Sequence, residues 1–302
     1  MSQGKPIVML LRLPFLTVTL GGVLLGTSFA TYETGHFHLL NFVLALLGSC
    51  FFHIATNVAN DYFDYKSGND AANRSGTSPF SGGSRMVLEG LVSPRKALAV
   101  SFIFAALGSA IGLYLNFTTP GNWVLLFGFT GFILLYSYNG FPLRLVNKGL
   151  GEIAIFLGWG PLMVLGAYYV QAQGFSSWWP VIVSIPSGIL TTLVLLINEF
   201  ADKEADVSTG RKTWVILFGN SGALGIYLFL GYACFVVVLA GVLLDRFPLW
   251  SLAVGLTLLM PAQAYRIGRK SLGDWGVFMG AVKSTILLNL VFLVLLSVSF
   301  FI

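Results

Sequence analysis

Apolar residues run along this chain in long blocks, each close to the length that crosses a bilayer, and polar residues are confined to the stretches between them. The blocks predict nine spanning helices, at roughly 7–31, 39–57, 97–116, 122–139, 152–171, 179–198, 221–244, 248–265 and 277–301. The block at 122–139 is the shortest. The fold class expected is therefore all-α: one polytopic membrane domain covering 1–302. The polar stretches at 58–96, 139–151 and 199–220 are the longest and carry most of the chemistry.

Composition strengthens this picture. The 302 residues are 56% hydrophobic and only 10% charged, whereas soluble domains carry about a quarter charged residues. Mean hydropathy is +0.82. The first block, flanked by Lys5 and Arg12, has the outline of a signal peptide, but it is long and lacks an A-x-A site, so it is expected to be retained. Cys50 and Cys234 lie inside apolar blocks and imply neither a disulfide framework nor a zinc site. His36, His38 and His53 show no metal-ligand spacing and are expected to be structural.

Charge fixes the expected orientation. One set of loops holds all the Lys and Arg residues except Arg246, which stands alone in the opposite set. By the excess of basic residues in cytoplasmic loops, the crowded side is cytoplasmic, with the N-terminus inside and the C-terminus outside. Among the acids only Glu33 and Asp245 fall on the other side. Function is expected at the cytoplasmic face of the cell inner (plasma) membrane.

On that face two clusters stand out. In NVANDYFDYKSGND, Asn57, Asp61 and Asp64 share a helix face at i, i+4, i+7, and Asn60 and Asp64 form a second i, i+4 pair. In NEFADKEAD, Asn198, Asp202 and Asp206 repeat the spacing at i, i+4, i+8. Like charges stacked on a helix repel, and a hard divalent cation with oxygen ligands is the natural remedy. Acids just beyond a membrane helix are often merely solvated, but two clusters with one Asn-x-x-x-Asp core on one side argue against coincidence. Arg211 and Lys212 follow the second cluster, and Arg144 and Lys148 lie in YSYNGFPLRLVNKGLGE. Basic residues belong on this face for topological reasons alone. Acids that hold metal, beside cations that take phosphate charge, together describe a diphosphate site.

These three segments, in this order at the ends of nine spans, resemble the UbiA superfamily of intramembrane prenyltransferases over nearly the whole chain. Asn60, Asp61 and Asp64 match the first aspartate motif, and Asp202 and Asp206 match the second. The last acid of the first motif is displaced to Asp70, with Gly68 in its expected place. That spacing, the GLGE at 149–152 and the segment FLGWGPLMVLGAYYVQ are most similar to the menaquinone branch, the dihydroxynaphthoate prenyltransferases. Two features depart from that branch: Glu199 stands where a second Asn is common, and the loop SPFSGGSRMVLEGLVSP lacks the usual Arg-Pro segment.

The resemblance implies a helical bundle around a central cavity. It also implies Mg²⁺-dependent transfer of an isoprenyl group from its diphosphate to an aromatic acceptor, here a dihydroxynaphthoate-like acid. The implied metal ligands are Asn57, Asn60, Asp61, Asp64, Asp70, Asn198, Asp202 and Asp206, with turnover resting on Asp61, Asp64, Asp202 and Asp206. Lys148, Arg144, Lys212, Arg211 and Arg12 would bind diphosphate, and Tyr136 and Tyr138 would stabilise an allylic cation. Glu152, four residues after Lys148, would take the acceptor's hydroxyl proton, or else form a surface ion pair with Lys148. The partners expected are prenyl diphosphate, the aromatic acceptor and the lipid bilayer. Nucleic acid is not expected, because the basic loops interleave with acids. A terpene cyclase of the same superfamily would use the same diphosphate site without an acceptor. A cation-coupled transporter would need ionisable residues at mid-span, where this chain has almost none.

Overall fold

The computed structural model of the chain describes residues 4–73 and 83–302, with side chains from residue 6 onward; Arg74 and the 74–82 part of the first polar loop, read above, lie outside them. The described residues are helical with no strand. The helices are α1 (Leu16–Thr34), α2 (Leu39–Ser67), α3 (Pro94–Thr118), α4 (Trp123–Asn139), α5 (Gly151–Ala172), α6 (Trp179–Ser208), α7 (Gly219–Leu243), α8 (Met260–Lys270) and α9 (Trp275–Ser299). Among the described residues seven are long and apolar enough to cross a membrane: α1 extended back to Pro6, then α2, α3, α5, α6, α7 and α9. α4 is apolar but shorter. The block expected at 248–265 folds as a 3₁₀ stretch, Leu249–Thr257, followed by α8. Pro261 explains the break, since its ring would clash with the Thr257 carbonyl in a continuous α-helix.

Two helices outrun their apolar blocks, and this positions the site. α2 continues to Ser67 and α6 to Ser208. Each extends ten residues beyond its apolar block, about 15 Å of rise. Both acidic motifs therefore sit on rigid helix. Gly68 closes α2 in the left-handed region at φ 78°, and Gly210, at φ 76°, turns the chain after α6. At the start of α3, Ser93 accepts the Lys96 N–H and Pro94 occupies the first turn.

α6 runs through the centre and is buried along most of its length against α1, α5, α7 and α9. The core around it holds Phe29, Tyr168, Leu193, Tyr227, Phe278 and Phe292. Glycines allow close crossings where no aqueous hydrophobic drive exists. A Cβ on Gly26 would lie 2.3 Å from the Val164 carbonyl oxygen, and one on Gly160 would lie 2.8 Å from the Gly188 Cα. The outer faces of α3, α4 and α7 carry exposed apolar side chains such as Phe102, Phe129 and Phe229, as lipid-facing surface does. What remains between α2, α3, α4, α5 and α6 is a cavity.

Candidate active site

The cavity holds about 380 Å³. Asp64 and Leu44 of α2 both line it, so it extends about 30 Å along that helix. Its mouth is polar, with Arg12, Asn60, Asp64, Asp202, Asp206 and Arg211. Its depth is apolar, and Gly112, Gly128, Gly131 and Gly158 on its walls have open space where a Cβ would stand.

At the mouth the two acidic motifs meet through one guanidinium. Arg211 donates from Nη2 to Asp64 and from Nη1 to Asp206 Oδ1 at 3.2 Å. Burial works against its charge, yet Asp64 and Asp206 hold it protonated above the ordinary arginine range. Backbone geometry aims it: Gly210 turns the chain, and the Arg211 N–H bonds the Asp206 carbonyl at 2.9 Å. Asp64 also accepts from Asn60 at 3.0 Å and from Asn139, at the end of α4, at 2.9 Å. Ser84 donates to Asp61 from its N–H, at 3.2 Å to both oxygens, and from its hydroxyl; Arg12 approaches to 4.0 Å. The short helix Asn69–Ala72 lies across the second motif: Asn69 donates to Asp206 at 2.9 Å and Asn73 to Asp202 at 2.6 Å.

Asp61, Asp64 and Asp206 are thus buried rather than merely solvated. Among the described residues no three acids stand close enough to hold one ion. The donor set nevertheless fits a hard cation. Besides the carboxylates of Asp61, Asp64, Asp202 and Asp206, two buried oxygens, Asp70 Oδ2 and Asn198 Oδ1, have no partner. Burial, then the charges of Asp64 and Asp61, push the Asp70 carboxyl up to about 8, more than Arg211 and Arg85 offset. Gly83 leaves room beside them, since a Cβ there would lie 3.0 Å from Asp61 Oδ1 and 3.3 Å from Asp70 Oδ1.

The UbiA prenyltransferase family matches residues 19–288. The chain belongs to that family. It is 29% identical to the 1,4-dihydroxy-2-naphthoate octaprenyltransferase of Bacillus subtilis strain 168 over 98% of its own length and 92% of that protein. It is 28% identical to the 2-carboxy-1,4-naphthoquinone phytyltransferase of Synechocystis sp., covering 80% of this chain and 75% of that one. Among solved structures, a UbiA homolog from Aeropyrum pernix K1 superposes with a TM-score of 0.71 at 18% identity, over 95% of this chain and 96% of the other. One from Archaeoglobus fulgidus bound to GPP and Mg²⁺ gives 0.67 at 18% identity, over 97% and 99%.

Within this family member the remaining candidate residues separate by position. Asn57, Asn198 and Tyr138 line the cavity. Tyr136 is 44% exposed and stacks edge-on against Phe63, away from the cavity. Lys148 and Lys212 are exposed and do not line it, whereas Arg144 reaches a small recess of about 20 Å³ beside Asp64 and Arg211. Glu152 is 1% exposed, so the surface pair with Lys148 does not form. The helix begins only at Gly151, which puts Lys148 on a separate 3₁₀ turn and removes the i, i+4 relation. Instead Glu152 accepts the Trp214 N–H and lies beside Glu199, which lines the cavity in front of it. The two carboxyls hydrogen bond only when one carries a proton. Sequence reading passed over Asn69, Asn73, Ser84 and Asn139. Asn69, Asn139 and Ser84 all stand inside quoted segments, Ser84 in a loop of no regular period.

Proposed function

We propose that this prenyltransferase transfers an isoprenyl group from its diphosphate to 1,4-dihydroxy-2-naphthoate, on the cytoplasmic side of the cell membrane. The observation that carries the reading is the Asp64–Arg211–Asp206 bridge at the mouth of a deep apolar cavity. It offers a polyanion site at one end and a hydrocarbon tunnel below. The names of the Bacillus and Synechocystis relatives support a naphthoate acceptor. The Archaeoglobus homolog's GPP and Mg²⁺ support the donor and the metal.

Asp61, Asp64, Asp202 and Asp206, joined by Asp70 and the Asn198 oxygen, would hold Mg²⁺. When bound, the ion neutralises charge growing on the diphosphate. Arg211 and Arg12 donate to the same oxygens, with Arg144 nearby. The walls keep water from the reacting carbon, and the Tyr138 ring offers its face to positive charge there. Glu199 and Glu152 share one proton, and the ionised member of the pair takes the acceptor's hydroxyl proton. The ring carbon bearing the carboxylate then bonds the prenyl carbon, diphosphate departs, and carbon dioxide leaves as the aromatic ring reforms.

The test supplies dihydroxynaphthoate, 4-hydroxybenzoate and homogentisate separately with a long prenyl diphosphate. Carbon dioxide and a prenylated naphthoquinol are expected with the first alone. A faster monocyclic acceptor, or a hydrocarbon product with no acceptor present, overturns the assignment.

A further inference from the structure

One polar side chain on the cavity wall has no task in the diphosphate site. His53 lies seven residues before Asn60 on the inner face of α2, about 10 Å deeper along the helix. It is 7% exposed and lines the cavity. Nδ1 is bonded to the Thr19 hydroxyl of α1 at 2.6 Å. Thr19 is fully buried, and its hydroxyl has no other acceptor among the described residues. It therefore donates to Nδ1, which places the ring's own proton on Nε2. Among the described residues Nε2 has no hydrogen-bond partner. Trp159 closes the other side, its ring 5.1 Å from the imidazole at 77°. Ser187 donates to the Trp159 carbonyl at 2.8 Å and ties that turn of α5 to α6. Three helices thus hold one N–H donor fixed.

A donor that faces an apolar cavity is satisfied only when an occupant or a water accepts from it. An isoprenoid tail is hydrocarbon and offers no acceptor. The same cavity offers that tail open wall at Gly112 of α3 and at Gly128 and Gly131 of α4. We propose that His53 is the acceptor-positioning residue: Nε2 donates to an oxygen of the aromatic co-substrate, while Thr19 fixes the tautomer and Trp159 the plane of the ring. The site would take an oxygen-bearing planar ring and reject a hydrocarbon. This inference rests on the prenyl-transfer reading above.

The full-length protein in lipid nanodiscs, with saturating Mg²⁺, is assayed with acceptor and prenyl diphosphate varied in turn. The variants are His53→Met, His53→Gln and Thr19→Val. His53→Met is expected to raise the acceptor KM roughly tenfold or more, the loss of one buried hydrogen bond, and to leave the donor KM unchanged. His53→Gln places an amide N–H near the Nε2 position and is expected to recover most of that loss. A purely structural histidine would move both KM values together and show no such rescue. An unchanged acceptor KM in His53→Met, or an equal rise for the donor, overturns the proposal while wild-type turnover leaves the prenyl-transfer reading standing. Wild-type protein that prenylates no aromatic acceptor overturns both. Should His53→Met fail to fold, Thr19→Val, which keeps the volume and removes only the hydroxyl, makes the same comparison: a selective rise in acceptor KM supports the assignment, and none removes it.

Discussion

Arg211 is the residue on which the mouth of the cavity depends, because it bonds Asp64 of the first aspartate motif and Asp206 of the second. Arg211→Met is expected to lower kcat about 100-fold or more, the loss typical of one preorganised donor to a charged transition state. Lys212→Met, one position on but exposed and off the cavity, is expected to leave steady-state kinetics near wild type. Equal losses in the two would return the diphosphate to the exposed lysines. A second residue-scale expectation concerns Gly83, whose φ of 69° and position against Asp61 and Asp70 leave no room for a side chain. Gly83→Ala is expected to cost about 1–2 kcal/mol in backbone strain and to raise the Mg²⁺ concentration for half-maximal rate; a magnesium titration of turnover reads this out. Asp61, Asp64, Asp202 and Asp206 were legible in the sequence because like charges at helical spacing are conspicuous. The partners of those acids were not, since Asn69, Asn139 and Ser84 reach them across the fold rather than along it. The face expected to be shared by Lys148 and Glu152 was misread for a related reason: a 3₁₀ turn and a helix start lie between them.

At the scale of the helices, glycine has two opposite uses. Gly26 lets α1 lie against the α5 backbone, so Gly26→Leu is expected to lower the thermal midpoint and the yield of folded protein, as measured by fluorescence-detected size exclusion. Gly128 of α4 faces the cavity with nothing within 4 Å. Gly128→Leu is expected to leave the fold intact and shorten the tunnel, so kcat/KM falls for a long prenyl diphosphate and holds for a short one. Equal loss on both donors would place the tail elsewhere. The hydrophobic blocks located the helices well, because block length and bilayer thickness are coupled. They could not show that α2 and α6 continue into polar sequence, since a helix supported by partners across the mouth needs no apolar face there. Nor could they show that Pro261 divides the eighth block into a 3₁₀ stretch and α8.

For the molecule as a whole, the expectation is that its polar end faces the cytoplasm. Single cysteines replacing Lys148 and Arg246 in a cysteine-free background test it. An impermeant maleimide is expected to label the first only in inverted vesicles and the second only in right-side-out ones. The reverse pattern would move the chemistry to the other face. The asymmetry of Lys and Arg is what supplies this expectation, whereas the cavity was not legible in the sequence, because which faces of α2 to α6 fail to meet is decided only by packing. The guanidinium between Asp64 and Asp206 bears finally on how such a protein is made. A chain whose acids had to await metal and substrate would enter the membrane with bare carboxylates pressed together. This one is synthesised with its counterion already in the polypeptide, so it can be inserted, folded and stored idle, and a cell short of magnesium would hold dormant enzyme rather than lose it to degradation.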